Sequence, residues 1–236
     1  MWPIRDCSAV AHTTTLGDAQ LHMASVERHK DLHLRNKSWS RVREAWFVDN
    51  IPDGASVMDL GCGSMRLRAG LQSAGRGSLT YVPVDVVDRG DPSMRVCHFN
   101  VHEYPLAVVP TPSHIVMQGV LEYIYDKLLL FRSLRCAYPH SAILLSYTVG
   151  HRAGVNEADG WVGPLTDKNL AELFSTLGLS VREVRRGCVQ LQNCMVLKPD
   201  PLASLNDQVC GGFPVRHARL RLSQAAPENA TVVNVR

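Results

Sequence analysis

Residues 38–198 predict an α/β fold: a mostly parallel sheet with helices on both faces, closed by an antiparallel hairpin. Three observations carry this. Short apolar runs of strand type alternate with helical runs along the segment. A glycine turn, Gly61-Cys-Gly63, directly follows the first strand-like run. The last two strand-like runs have no helix between them, so they pair with each other.

The elements follow in order. Ser38 is suited to cap a helix that places Trp39, Val42 and Trp46 on one face, and Ile51-Pro-Asp-Gly54 ends it. Residues 56–60 form a buried strand, and a helix follows over about 64–73. Residues 79–84 form a second strand that ends at Asp85. After the Asp91-Pro92 turn, 95–99 is a short third strand and 115–118 a fourth. Residues 125–137 are helical, with Leu128, Phe131 and Leu134 facing inward, until Tyr138-Pro139. Residues 142–148 are a fifth strand dense in Ile and Leu. Thr166 caps a helix with Leu170, Leu173, Phe174 and Leu177 on its apolar face and Gly178 as its stop. Residues 181–184 and 189–197 form the hairpin, joined near Gly187.

At 236 residues the chain can bury a core without covalent staples. It divides into an N-terminal extension or lid (1–37), the α/β domain (38–198) and a C-terminal tail or arm (199–236). Either extension would also serve as the arm of a homodimer. The apolar fraction of 45% and charged fraction of 20% are those of a soluble globular protein. A net charge of +3 argues for neither nucleic acid nor membrane. No apolar stretch reaches the length of a membrane span, and Arg5, Asp6, His12 and Asp18 interrupt any leader-like run. The seven cysteines are odd in number and show no C-x-x-C spacing, which points to reduced thiols in a cytoplasmic protein and to no zinc site. In that setting the triplets Asn36-Lys-Ser38 and Asn229-Ala-Thr231 are chance matches to a glycosylation pattern.

The chemistry begins at the glycine turn. In an open α/β sheet, ligands bind beyond the carboxyl ends of the strands. Glycines there let backbone approach a ligand closely, and the following helix points free N–H groups into the crevice. This admits a dinucleotide or S-adenosylmethionine. A G-x-G-x-x-G dinucleotide fingerprint starting at Gly61 requires glycine at 66, where Arg66 stands. Asp59, inside the strand end, needs partners because a buried carboxylate is costly. Asp85, ending the second strand, can accept both hydroxyls of a ribose.

Three segments, Val57–Gly63, Tyr81-Val-Pro-Val-Asp85 and Gly119-Val-Leu-Glu-Tyr-Ile-Tyr-Asp126, together resemble the class I S-adenosylmethionine-dependent methyltransferases. The resemblance implies a Rossmann-like sandwich with a seven-stranded sheet, and S-adenosylmethionine as cofactor. It implies that Gly61, Cys62 and Gly63 hold the methionine part, with Asp59 behind or beside them. Asp85 would hold the ribose, and Val86 would pack on the adenine. Gln118, Gly119 and Leu121 would line the floor near the sulfonium. Many relatives carry an Asp after strand three for the adenine amino group. Here His98 stands there, so Asn100 with its carbonyl oxygen or Phe99 with its backbone takes that part. A narrower likeness, in Tyr81–Asp85, Gly119–Tyr123, Leu145-Ser-Tyr147 and Gly160-Trp161, is to a bacterial subgroup associated with sugar, polysaccharide or secondary-metabolite modification.

A hydroxyl acceptor usually needs a general base. Glu122 and Tyr123 follow the fourth strand, where relatives often have Glu-His. Tyr147 ends the fifth strand, and His151 in the next loop is a base candidate through its near-neutral pKa. Arg152 would bind an anionic group on the acceptor, and Trp161 would stack on a flat one. No His/Asp/Glu cluster has metal spacing. The expected activity is methyl transfer to a hydroxyl of a small molecule or glycan. N-methylation, nucleic-acid methylation and a non-catalytic binding role are the alternatives. An Asn/Asp-Pro-Pro-Tyr-like motif, the mark of nucleic-acid enzymes, is replaced by Gln118-Gly-Val-Leu121.

Overall fold

The computed structural model describes residues 7–9, 40–108, 110–148, 161–162, 164–189, 192–201 and 210. The expectations for Ser38, Trp39, His151, Arg152 and most of the two extensions lie outside these residues.

The apolar alternation along β2 (Ser56–Leu60) shows how the sheet is built. Met58 and Leu60 face one core and Val57 the other, and all three are at most 1% exposed. The same alternation runs through β6 (His114–Gln118) and β7 (Ala142–Thr148). A strand buried on both faces reads as a continuous apolar run, as 142–145 does. On one face lie α1 (Ser40–Asp49) and α2 (Arg66–Ser73), through Trp46, Phe47, Leu67 and Leu71. On the other lie α3 (Lys127–Ala137) and α4 (Asp167–Thr176), through Leu130, Phe131, Leu134, Leu170 and Phe174.

With β3 (Thr80–Asp85), β4 (Arg95–Val96), β8 (Leu179–Val189) and β9 (Gln192–Pro199), the sheet has seven strands in the order β4-β3-β2-β6-β7-β9-β8. The strands from β4 to β7 are parallel, and β9 and β8 close the sheet as an antiparallel hairpin. The chain runs from β2 outward to β4, then returns to β6 on the other side of β2. The strand order therefore reverses between β2 and β6, which places a ligand crevice at their carboxyl ends. A separate two-stranded ladder pairs β1 (Ser8–Ala9) with β5 (Glu103–Tyr104).

Several local expectations are corrected. Val42 is 55% exposed, so the buried face of α1 is Trp46, Phe47 and Val48. Asp126 caps α3 by accepting from the Leu129 N–H (2.8 Å), so the helix starts at Lys127 and its inward stripe takes Leu130 in place of the exposed Leu128. The third strand shortens to two residues: its pairing with β3 ends with the Cys97 N–H donating to Asp85 O (3.0 Å), and a 3₁₀ turn, Phe99–Val101, follows. Gly187 is not the hairpin turn. It lies within β8 at φ +61°, between Arg185 and Val189, where the pairing slips. Thr166 caps α4 as expected, in a reciprocal box with Asn169.

The expectation of reduced thiols is overturned. Disulfides join Cys7 to Cys97, Cys136 to Cys210 and Cys188 to Cys194. Their Cα atoms lie 5.6, 5.7 and 5.8 Å apart, within the disulfide range. Only Cys62 is free, and it is buried. Two of the bonds join residues 90 and 74 positions apart, which no local spacing signals. The cytoplasmic expectation rested on free thiols and loses that support. Among the described residues, no helix is long and apolar enough to cross a membrane.

Candidate active site

The crevice is built first from backbone. β2 ends at Leu60, and Gly61 and Cys62 turn back with both N–H groups donating to Val84 O at 2.7 and 3.1 Å. Gly61 has φ +70°, and a Cβ there would lie 2.2 Å from Val120 Cγ2. Only glycine meets both constraints. Gly63, at φ +53°, has open space where a Cβ would stand. Its N–H donates to Asp85 Oδ2 (2.8 Å), while Asp85 Oδ1 accepts from the Val87 N–H (2.9 Å), with Arg89 Nη2 at 3.9 Å. Asp85 thus ties the glycine turn to the end of β3. A carboxylate has about four acceptor positions, so two backbone bonds leave room for further donors.

Asp59 sits below the turn, 2% exposed. The Tyr81 hydroxyl donates to its Oδ2, and its Oδ1 has no partner. Burial pushes the Asp59 carboxyl up to about 7, and the neighbouring Asp85 adds to this, against the opposing pull of the Tyr81 hydrogen bond and Arg43. Burial, with the charges of Asp59 and Asp85, holds the Cys62 thiol well above its ordinary range, so it is protonated and inert.

The other half of the crevice is assembled from distant elements. Glu122, in the 3₁₀ turn Leu121–Tyr123 after β6, is 3% exposed. Its Oε1 accepts from the Thr148 N–H (3.0 Å) at the end of β7 and from Gln192 Nε2 (3.0 Å) at the start of β9. Gln192 Oε1 in turn accepts from Arg43 Nη1 of α1 (2.9 Å). The same guanidinium lies 2.7 Å from where a Cβ on Gly119 would stand, at φ +64°. Glu122 Oε2 is buried without a partner. Burial raises the Glu122 pKa, against its hydrogen bonds and the Arg43 charge.

The structure gathers most of the expected residues at one edge: Asp59, Gly61, Cys62, Gly63, Asp85 and Val86 on one side, and Gln118, Gly119 and Glu122 on the other. Leu121 is fully buried in the main core, beneath that floor. Phe99 is buried beside it in the same core. Asn100 is engaged at both ends of its amide, donating to Tyr123 O (2.9 Å) and accepting from the Tyr125 N–H (3.0 Å), and so clamps the segment after β4 to the loop after β6. Tyr147 is 1% exposed, and its hydroxyl accepts from the Leu165 N–H (2.7 Å). The sequence reading missed Arg43, Tyr81 and Gln192. Arg43 carried a signal, since it shares a helical face with Trp46 and Phe47 at spacings of three and four. A cavity of about 430 Å³ lined by Phe174, Leu179 and Asp200 opens at the far end of the hairpin from Gln192 and is unrelated to this site. Among the described residues, no group of three His, Cys, Asp or Glu is placed to hold a metal ion.

The fold as a whole matches solved structures. A 1,6-didemethyltoxoflavin-N1-methyltransferase from Burkholderia thailandensis, solved with 1,6-didemethyltoxoflavin and S-adenosylhomocysteine, superposes with a TM-score of 0.58. The match has 15% identity and covers 82% of this chain and 94% of that one. This chain has the class I methyltransferase fold. The mitomycin 7-O-methyltransferase MmcR matches at TM-score 0.53 and 17% identity, over 80% of this chain and 62% of its own. The magnesium protoporphyrin IX methyltransferase ChlM from Synechocystis PCC 6803, with bound S-adenosylhomocysteine, matches at 0.51 and 14%, over 68% and 82%. No family model and no curated protein matches by sequence.

Proposed function

We propose that this chain binds S-adenosylmethionine and transfers its methyl group to a hydroxyl of a small molecule or glycan. The observation that carries this is the glycine turn at the switch point, locked by the Gly63 N–H on Asp85. The neighbours named above support it, since two were solved with S-adenosylhomocysteine and each is named as a methyltransferase.

In this reading the Gly61–Gly63 backbone receives the methionine part, over Asp59. The free acceptor positions of Asp85 take the ribose hydroxyls, Val86 packs on the adenine, and the Phe99 backbone meets its edge. Gln118 and Gly119 lie toward the sulfonium. The bound cofactor supplies an activated methyl group, so the protein's share is alignment and proton removal. Glu122 is the base of choice. Its second oxygen is unpartnered, and burial raises its pKa, which makes it a stronger base than an ordinary carboxylate. Tyr123 orients the acceptor, and His151, outside the described residues, is the second base candidate.

Titration calorimetry with S-adenosylhomocysteine, S-adenosylmethionine and NAD tests the cofactor. The expected result is binding of the first two, with Asp85→Ala weakening it by about 2 kcal/mol, roughly thirtyfold, as charged hydrogen bonds are lost. Binding of NAD alone would overturn the reading.

A further inference from the structure

The three disulfides are unlike anything the cofactor chemistry requires, and their placement is specific. Cys97 lies two residues before the turn Phe99–Val101, on the side of the crevice proposed for the adenine. It is fully buried, and its N–H is held by Asp85 O. Its partner Cys7 adjoins β1, which pairs with β5 through Ser8↔Tyr104 and Ala9↔Glu103. One short stretch of chain is therefore fixed twice, covalently and by a ladder, to the segment that leads out of the cofactor side. Cys136, near the end of α3, is bonded to Cys210 beyond the sheet, and Cys188 to Cys194 ties β8 to β9. Six of seven cysteines are paired, and the seventh is shielded by burial.

We infer that the chain matures and works in an oxidising compartment, and that the Cys7–Cys97 bond is a strap that positions residues 98–100 for cofactor binding. Disulfides are rare where glutathione and thioredoxin keep thiols reduced, and three in one chain fit an oxidising setting better. Each bond forms when two thiols give up two protons and two electrons to the disulfide of an oxidoreductase, which leaves as a dithiol. The strap acts on the binding site because Asn100 links that segment to the Tyr123–Tyr125 loop, so displacing residues 97–100 displaces both sides of the crevice. This second part rests on the proposed cofactor.

The test uses the full chain produced in an oxidising secretory compartment and, in parallel, in a reducing cytosol. Differential alkylation and peptide mapping should find three linked pairs, 7–97, 136–210 and 188–194, with Cys62 alkylated only after unfolding. Reduction should lower the melting temperature by roughly 10 °C or more, the scale expected for opening loops of this length. C7A/C97A should weaken S-adenosylhomocysteine binding at least tenfold, while C136A/C210A lowers the melting temperature but leaves affinity within twofold. Seven alkylated thiols in the oxidised preparation, or cytosolic protein with free thiols and the same melting temperature, would overturn the compartment inference. Equal affinity in C7A/C97A and wild type would overturn the strap alone. If the oxidised wild type binds no S-adenosylhomocysteine, the cofactor reading and the strap fall together. Mapping and melting still decide the compartment.

Discussion

The two sides of the crevice are built by different means. The side formed by β2 and β3 is backbone held by backbone: Gly61 and Cys62 on Val84 O, and Gly63 on Asp85. Its parts lie within about two dozen residues of one another in sequence. The side around Glu122 is a chain of side chains, Arg43 to Gln192 to Glu122, drawn from residues up to 149 positions apart. Backbone geometry tolerates no substitution where φ is positive and space is filled. A side-chain relay degrades bond by bond and responds to pH. The first side should therefore fail abruptly when mutated and the second gradually.

The largest effect is expected at Gly61. An alanine there takes the left-handed penalty of about 1–2 kcal/mol and collides with Val120 Cγ2 at 2.2 Å, an overpacking cost of up to about 3 kcal/mol more. Gly61→Ala should lose as much as about 5 kcal/mol of stability by urea unfolding, together with cofactor binding. Gly63→Ala, with open space around its Cβ, should lose only the backbone share. Equal losses at the two glycines would remove the distinction between filled and open turn positions.

Asp59 gives the backbone-built side a titration in the accessible pH range. Its pKa is raised to about 7 from an ordinary value of 3.8, so the folded state holds a proton that the unfolded state releases. Its contribution is fully present below pH 4 and is lost as the pH rises through 7, on the order of 4 kcal/mol across that window. Asp59→Asn keeps an acceptor for the Tyr81 hydroxyl and cannot ionise. Its stability should fall less than that of wild type between pH 4 and 8. Parallel stability curves for the two proteins would show that Asp59 titrates normally in the fold.

The same contrast explains what could be foreseen from the chain. Val57–Gly63 and Tyr81–Asp85 are contiguous patterns, and the physics that joins them is local: strand, tight turn, strand end. The mostly parallel sheet and the terminal hairpin follow from such patterns with short-range alternation, while the seven strands were implied by the family resemblance and their order came from the structure. The relay was not legible because Gln192 opens a strand as an ordinary polar residue, and only the closing of β9 against β7 brings it to Glu122. Arg43 was a basic residue on a helix, and its burial depends on the sheet edge it covers. The disulfides were hidden for the same reason. Cys7 and Cys97 meet only after two small strands have paired, and an odd total gave no hint that six of the seven would be bonded. Local errors, such as the inward placement of Leu128, came from choosing one helical stripe over its neighbour one residue away.

Gln192 sets the smallest and most diagnostic expectation. Its amide supplies one donor to Glu122 Oε1 and one acceptor to Arg43 Nη1. Gln192→Leu keeps the bulk and removes both, leaving the Thr148 N–H on Glu122 Oε1. Removing one hydrogen-bond partner from a buried charged group costs about 1.5–3 kcal/mol. The cost should depend on pH, because the lost donor supports the ionised carboxylate more strongly than the neutral acid. Burial already raises the Glu122 pKa, and the variant should raise it further. A carboxyl with a raised folded-state pKa destabilises the fold once it ionises. The difference between variant and wild type should therefore be full at pH 8 and shrink as the pH falls and Glu122 becomes protonated in both. Urea unfolding of the pair at pH 5 and pH 8 measures it. A loss independent of pH would mean that Gln192 acts by packing alone and that Glu122 does not draw its support from β9.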